Sequence, residues 1–475
     1  VPAAEDPGNH SGRRAPAPTP PLRDPIEAAV DDAALGAAHI RIFLACIGGT
    51  LLNGYTVFVT GAVAPLISSE LGTGAEGIGL FGSALVLGAV PGSLVGGRLS
   101  DRIGRRRVFL VDVLVMACAS LVLAMAPDLG WLIAAQLVLG FGIGMDFPVA
   151  AAYVAETMPS RKRHALVVAT IAFQAVGLVL GAGATTLAAS MDPHPENWRV
   201  VLGSSAGIAL VFLVARLGLP ESPHWSALAG HFEDVRAVVA RLSPRAELPA
   251  ELRLAPVGDP ARAGYLELFR GPVLRVTLLT AGAWSLMDVA TYGVGMFTPS
   301  ILAALAPSTP TSLLAREAAI ARASGVVDAF LVVGSIASIW VVHRFGPLRV
   351  QVVGFLGMAA GLAVLAAAPH DSARASAPLL AGFALFNLAQ NAGPNATTFA
   401  LPALLYPTRL RATGAGFASA FAKLGATLGA LLLPGLEARF GPGFVLHGLA
   451  IVSLLALVVT VACRPRSPRQ GIART

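Results

Sequence analysis

Twelve apolar stretches run through this chain, in two sets of six separated by one polar segment. They lie at about 43–67, 77–100, 107–126, 130–158, 164–190 and 199–218, then at about 271–301, 318–342, 346–368, 377–405, 410–435 and 442–463. A helix needs about 20 residues, rising 1.5 Å each, to cross the hydrocarbon core of a bilayer, and each stretch reaches that length. The runs are near-continuous rather than alternating, which selects helices over a barrel. Of the 475 residues 55% are hydrophobic and 13% charged. Soluble proteins carry about 25% charged residues. A soluble fold of this size would lack the polar surface to stay in water. The expected class is therefore an all-α membrane protein with twelve transmembrane helices.

The net charge of +7 does not point to nucleic acid, because the basic residues sit in short clusters between the apolar runs and act as topology signals. Arg102, Arg105, Arg106, Arg107, Arg161, Lys162, Arg163, Arg344, Arg349, Arg409 and Arg411 fall on one side of the alternating connections. Only Arg199, Arg316, Arg322, Arg374 and Arg439 fall on the other. The basic side is read as cytoplasmic, with both termini inside and a bacterial inner membrane as the expected location. Residues 1–42, rich in Pro, Ala and charge, are read as a disordered cytoplasmic tail. Residues 43–218 form the first six-helix unit, 219–270 a cytoplasmic loop, 271–463 the second unit and 464–475 a tail. Within the loop, Phe232, Val235, Val238, Val239 and Leu242 recur at helical spacing and predict a surface helix over 232–242. No apolar run precedes residue 42, so no cleavable leader is expected. Cys46, Cys118 and Cys463 lie far apart with no disulfide or metal spacing.

The two halves repeat one another. After span 2 comes Gly97-Arg98-Leu99-Ser100-Asp101-Arg102-Ile103-Gly104-Arg105-Arg106-Arg107, and after span 8 a worn copy, Val342-His343-Arg344-Phe345-Gly346-Pro347-Leu348-Arg349. Span 4 ends at Glu156-Thr157-Met158-Pro159-Ser160-Arg161, and span 10 at Leu405-Tyr406-Pro407-Thr408-Arg409. A duplicated six-helix unit is the build of a secondary transporter, whose substrate site lies between the halves near mid-membrane.

On these residues the chain resembles the major facilitator superfamily. The segment Gly97–Arg107 is similar to its signature between spans 2 and 3. Pro220-Glu221-Ser222-Pro223-His224-Trp225 resembles the sugar-porter motif after span 6, with His224 in place of the usual Arg. A narrower resemblance, to the phosphate–proton symporters, rests on Gly142 to Pro148, on Trp284, Asp288 and Tyr292, on Gly393 to Phe399, and on Pro407 to Arg411 followed by Lys423. It implies two pseudo-symmetric six-helix bundles, the major facilitator fold. It also implies a substrate site at Gln174, Trp284, Asp288, Tyr292 and Asn395, with the acid Asp146 and Lys423 in the same central region; Lys423 is taken with the substrate-binding residues. The span-1 acids of that family are Asn53 and Thr56 here, the tyrosine after the span-4 aspartate is Phe147, and the family's Glu before the Tyr406 segment is Leu404.

Depth gives a reading independent of the family. Ionisable residues inside a span are costly and mark functional sites by default. Asn53, Asp146, Gln174, Asp288, Asn395 and Lys423 lie on six spans, 11 to 14 residues from the nearest basic or proline edge, which is about 16–21 Å. Trp284, Asp288 and Tyr292 share one helical face at i, i+4, i+8. Asp288 and Asp146 are the candidates for proton coupling; a fixed Asp146–Lys423 pair in an uncoupled facilitator is the alternative. The alternative for Asp146 is a helix–helix hydrogen bond beside Gly140, Gly142 and Gly144, which let helices approach closely. Asp328 is expected to pair locally with Arg322, and Asp112 to sit at the membrane edge beside a basic partner such as Arg107. Asp101, Arg105, Glu156 and Arg163 are expected to form a gate on the cytoplasmic side.

The expected function is a secondary carrier for a small polar, anionic solute such as phosphate, an organic acid or a sugar-like metabolite, coupled to protons. The expected partners are that solute, protons and membrane lipid, with a monomeric chain, no nucleic acid and no cofactor. No nucleotide-binding loop occurs in the sequence. Gly203-Ser204-Ser205-Ala206-Gly207 fits a nucleophile elbow in letters, but it lies inside an apolar helix, so no enzyme is expected. A membrane sensor and an intramembrane enzyme are the other classes considered.

Overall fold

The computed structural model describes residues 25–191, 197–249, 264–305, 330–368 and 372–465. The expectations for residues 1–24 and 466–475, and for Asp328 with Arg322, lie outside them. Among the described residues ten helices are long and apolar enough to cross a membrane. Span 1 is Ala37–Leu71, span 2 Ala75–Ile103, span 3 Arg105–Ala124, span 4 Leu129–Thr157, span 5 Ser160–Met191 and span 6 Trp198–Leu217. Span 7 runs as Gly271–Thr277, a π-helical turn Leu278–Gly282, and Ala283–Leu305. Span 9 is Pro347–Ala366, span 11 Arg411–Phe440 and span 12 Pro442–Ala462. The remaining two crossings are span 8, described over Phe330–Phe345, and span 10, which is two helices, Ser372–Ala392 and Pro394–Leu405. The break in span 10 falls at Gly393, where a Cβ would press on the Val350 carbonyl and Gly354 of span 9.

Equivalent spans pack alike in the two halves. Span 1 lies on span 5 as span 7 lies on span 11, span 3 on span 6 as span 9 on span 12, and span 3 on span 4 as span 9 on span 10. Spans 2 and 4 meet backbone to backbone. A Cβ on Gly88 would lie 2.0 Å from the Leu137 carbonyl oxygen, and one on Gly140 2.0 Å from that of Leu85. Glycine removes the side chain that would hold such helices apart.

One end of the bundle carries the segment between the halves and is called here the linker face. Its helices Pro223–Leu228 and Phe232–Leu242 include the predicted surface helix. The reading of residues 1–42 as a disordered tail needs correction over its described part. Residues Pro25–Asp31 form a helix that buries Ile26 and Ala29 against Ala227, Val235 and Val239, and span 1 already begins at Ala37. The apolar Ile26, Ala29 and Val30 recur at helical spacing and find a partner face on the linker helices.

Candidate functional site

The two halves touch at the linker face through a network of buried charges. Arg105 binds Glu156 through two guanidinium nitrogens, at 3.0 and 2.9 Å, and pairs with Asp101 at 2.9 Å. Asp101 then crosses to the second half. Its carboxylate accepts the Thr413 backbone N–H and the Thr413 hydroxyl, both at 2.7 Å, and so caps the start of span 11. Glu156 crosses in the same way to Arg411 at 3.0 Å. It also accepts the Ser222 hydroxyl at 2.5 Å. Glu221 holds the turn between spans 2 and 3, accepting the backbone N–H groups of Arg105 at 2.8 Å and Arg106 at 3.2 Å. Burial pushes the Glu221 carboxyl above its ordinary value, opposed by these backbone bonds and by Arg105. Just inside the network, span 11 lies against span 2. A Cβ on Gly416 would sit 2.2 Å from the Ser93 carbonyl oxygen, and the Ser93 and Ser419 hydroxyls bond at 3.0 Å.

Of the four residues expected to gate this face, Asp101, Arg105 and Glu156 are joined here. Arg163 is not. It pairs with Asp31 on the N-terminal helix and donates to the Met158 carbonyl at 3.0 Å. Arg411, Ser222 and Glu221 also belong to the network; the sequence reading noted them in motifs but gave them no part in the gate. The signal for Arg411 was its place among the basic residues that open span 11.

Further in, a small, narrow cavity opens at the junction of the halves. Lys423 and Tyr292 line it, with Asn53 facing them from span 1. Asp288 is buried beside Lys423, with its carboxylate 3.8 Å from the ammonium. That is an ion pair too long for a direct hydrogen bond. The ammonium also lies 5.7 Å from the Phe147 ring. Phe147 stands edge-on to Phe399 at 5.8 Å, and Phe399 edge-on to Trp284 at 6.3 Å. Three predicted site residues, Asp288, Tyr292 and Lys423, thus gather at the cavity, and Trp284 sits behind its aromatic wall. Asn395 donates instead to the Asn391 side chain at 3.0 Å. Gln174 stands at the crossing of spans 1 and 5, where its backbone carbonyl packs on Gly54. Neither amide is among the residues lining the cavity.

Asp146 requires a correction. It does not face the cavity and does not meet Lys423. Its carboxylate binds the Arg216 guanidinium from span 6, inside the first half. The same guanidinium binds Asp112 at 2.6 Å and donates to the carbonyls of Phe109 and Ala45, each at 3.1 Å. Arg216, Asp112 and Asp146 are all fully buried. Asp112 is therefore an interior residue held by Arg216, not an edge residue held by Arg107. The cluster exists because Gly49 leaves room on span 1: a Cβ there would overlap the Asp146 carboxyl.

The family model of the Sugar (and other) transporter matches residues 42–468. The inner membrane metabolite transport protein YgcS of Escherichia coli (strain K12) is 31% identical over 439 residues, covering 92% of this chain and 94% of that one. A probable inorganic phosphate transporter, 1-9, of Oryza sativa subsp. japonica is 29% identical, covering 94% and 88%. Among solved structures, the major facilitator superfamily proton:xylose symporter XylE bound to 6-bromo-6-deoxy-D-glucose superposes with a TM-score of 0.74 at 19% identity, over 89% of this chain and 95% of that one. A partially occluded inward-open form of XylE gives 0.66 at 18% identity, over 90% and 98%. With its twelve spans, its repeated halves and a cavity at their junction, this chain belongs to the Sugar (and other) transporter family and has the major facilitator fold.

Proposed function

We propose that the chain takes up a small anionic solute by alternating access, and that Asp288 carries the coupling proton. The observation that carries this reading is the Lys423–Asp288 pair, 3.8 Å apart beside a cavity between the halves. A protonated Asp288 leaves the Lys423 ammonium free to hold an anion. Once the linker face opens, Asp288 loses its proton and returns to Lys423, and the anion loses its partner. Nearby charges of opposite sign favour the ionised carboxyl, so loss of the solute and loss of the proton reinforce one another.

The linker face is cytoplasmic in this reading, as the count of basic residues favours. The bacterial inner membrane named for YgcS is then the membrane involved. The charge network joining Asp101, Arg105 and Glu156 to span 11 acts as the gate on that face. Its closure here fits a carrier shut toward the cytoplasm. A second reading, an uncoupled facilitator, draws support from span 1, where Asn53 and Thr56 supply no carboxylate, and from Asp146, which Arg216 already occupies.

Proteoliposomes separate the two. Counterflow of inorganic phosphate, organic acids and sugars identifies a transported solute. An imposed pH gradient then drives its accumulation if protons are coupled. Asp288→Asn is expected to keep counterflow and to lose accumulation. Accumulation that survives the substitution refutes the role of Asp288, and wild-type exchange that ignores the gradient favours the facilitator.

A further inference from the structure

Resting on the carrier reading, we propose that the solute is an organic monocarboxylate with an apolar body, aromatic or branched, and not inorganic phosphate or a sugar. The cavity has two unlike walls. The second half supplies Tyr292, Ser419 and Lys423, each with a polar side-chain atom. The first half supplies a mainly hydrocarbon surface, Val57, Leu85, Val86, Ala89, Ile143 and Phe147, together with the polar Asn53 and Ser93. Ser93 and Ser419 bond to each other at 3.0 Å and so occupy part of their own polar capacity. Lys423, Tyr292 and Asn53 remain to receive a charged head.

Inorganic phosphate presents oxygens on all sides. Those turned to the first-half wall would lose water and meet mostly carbon, since Asn53 and Ser93 are the polar side chains it offers, and that is unfavourable for a charged group. A sugar can lay a C–H face on such a wall, but its rim carries more hydroxyls than the few polar side chains here can receive. A carboxylate has its oxygens at one end. It can place them at Lys423 and Tyr292 while its body covers the apolar wall and leaves water. Charge points the same way. Lys423 is the one cation lining the cavity among the described residues, and Asp288 already lies 3.8 Å from it. With Asp288 protonated the pair offers a single positive charge, which a monoanion neutralises and a dianion such as hydrogen phosphate exceeds; against the dihydrogen phosphate monoanion the apolar wall is what discriminates. Phe147, whose ring lies 5.7 Å from the ammonium, gives an aromatic body a face beside the head.

Binding to the purified full-length chain, measured calorimetrically, dissects head from body. The probes are phenylacetate, acetate (head alone), 2-phenylethanol (body without charge), inorganic phosphate and xylose. Phenylacetate is expected to bind about tenfold or more tightly than either acetate or 2-phenylethanol, since each lacks one contribution. Phosphate and xylose are expected to show no saturable binding. The double variant Lys423→Gln, Asp288→Asn keeps the local charge balance and should weaken phenylacetate about tenfold, leaving 2-phenylethanol unchanged. Leu85→Ser should weaken phenylacetate and leave acetate unchanged. Tighter binding of phosphate or xylose than of phenylacetate overturns the substrate class while the carrier reading stands. Absence of phenylacetate binding to folded protein, judged by protection of the buried Cys46 from a thiol dye, overturns the class as well; the carrier reading is then decided by the counterflow screen alone.

Discussion

The buried Arg216 cluster makes the sharpest energetic prediction. Arg216→Met removes the cation shared by Asp112 and Asp146 and keeps much of the apolar stem. Breaking one buried pair costs about 3–5 kcal/mol, because the remaining charge is left without water or partner. Here two carboxylates lose the same partner, so that figure is a lower bound. An upper bound follows from the alternative open to the variant, which is to take up protons. Protonating a carboxyl of ordinary pKa about 3.9 at pH 7 costs about 4 kcal/mol, at 1.36 kcal/mol per pH unit. For the two carboxyls this route caps their share of the loss at about 8 kcal/mol at pH 7 and about 3 kcal/mol at pH 5, the lower bound applying only where they stay ionised. The variant should therefore be strongly destabilised at pH 7 and recover as the pH falls. Cys46 reports unfolding directly, since it is fully buried beside the cluster, whereas Cys118 and Cys463 are accessible. In a Cys118→Ser, Cys463→Ser background, a thiol dye should label Arg216→Met at a clearly lower temperature than the parent. Adding Asp112→Asn and Asp146→Asn should restore most of the loss. Equal labelling temperatures for Arg216→Met and its parent, or a triple variant no more stable than Arg216→Met, would refute the assignment.

Three further outcomes are expected. Gly416→Val places a branched side chain against the Ser93 carbonyl, 2.2 Å from where its Cβ would be; dye access to a cysteine at Thr413 should rise, and unchanged access would mean that spans 2 and 11 do not close this face by contact. Glu156→Gln strips the charge that Arg105 and Arg411 share; spin-label distances across the linker face should shift toward an open form, while an unaltered distribution removes Glu156 from the gate. Asp31→Asn weakens the largely buried link to Arg163, an effect on the order of 1–3 kcal/mol for a hydrogen bond to a charged group; protease cleavage between residues 31 and 37 should accelerate, and no change would assign the docking of the N-terminal helix to Ile26 and Ala29 alone.

Spans, repeat and linker helix were legible because they depend on length, hydropathy and period, all of which are local. The height of a residue in the membrane was legible too. Asn53, Tyr292 and Lys423 do line one cavity, with Asp288 beside them. The direction a side chain takes was not. Phe147 lines the cavity, and Asp146, its neighbour, stands about 100° round the helix, facing spans 3 and 6. Height, together with the family resemblance, assigned Asp146 to the centre. Arg216 shows the converse. It stands near the end of span 6, at the last turn of the helix. Helical side chains lean toward the N-terminus of their helix, which for span 6 is the opposite face, so a long arginine there reaches inward. Only the packing of spans 1, 3, 4 and 6 shows that two acids and two carbonyls await it.

The charges sort into pairs that cross between the halves and pairs that do not, and the sorting bears on mechanism. Asp101 with Thr413 and Glu156 with Arg411 join different halves. Any motion that parts the linker face must break them, so they respond to conformation. Arg216 with its two acids lies wholly within the first half, on helices that move together, and nothing in alternating access asks it to change. Asp288 and Lys423 also lie within one half, on the packed spans 7 and 11. Rocking the halves leaves their separation alone. What alters that pair is occupancy: an anion on Lys423 or a proton on Asp288. In the proposed cycle the solute and the proton therefore act on one another through a pair that conformation does not touch, and the gate answers to conformation through pairs that the solute does not touch. Coupling then requires a link between the two sets. Span 11 is the element that carries it, since Thr413 and Arg411 stand at its linker end and Lys423 three turns further in.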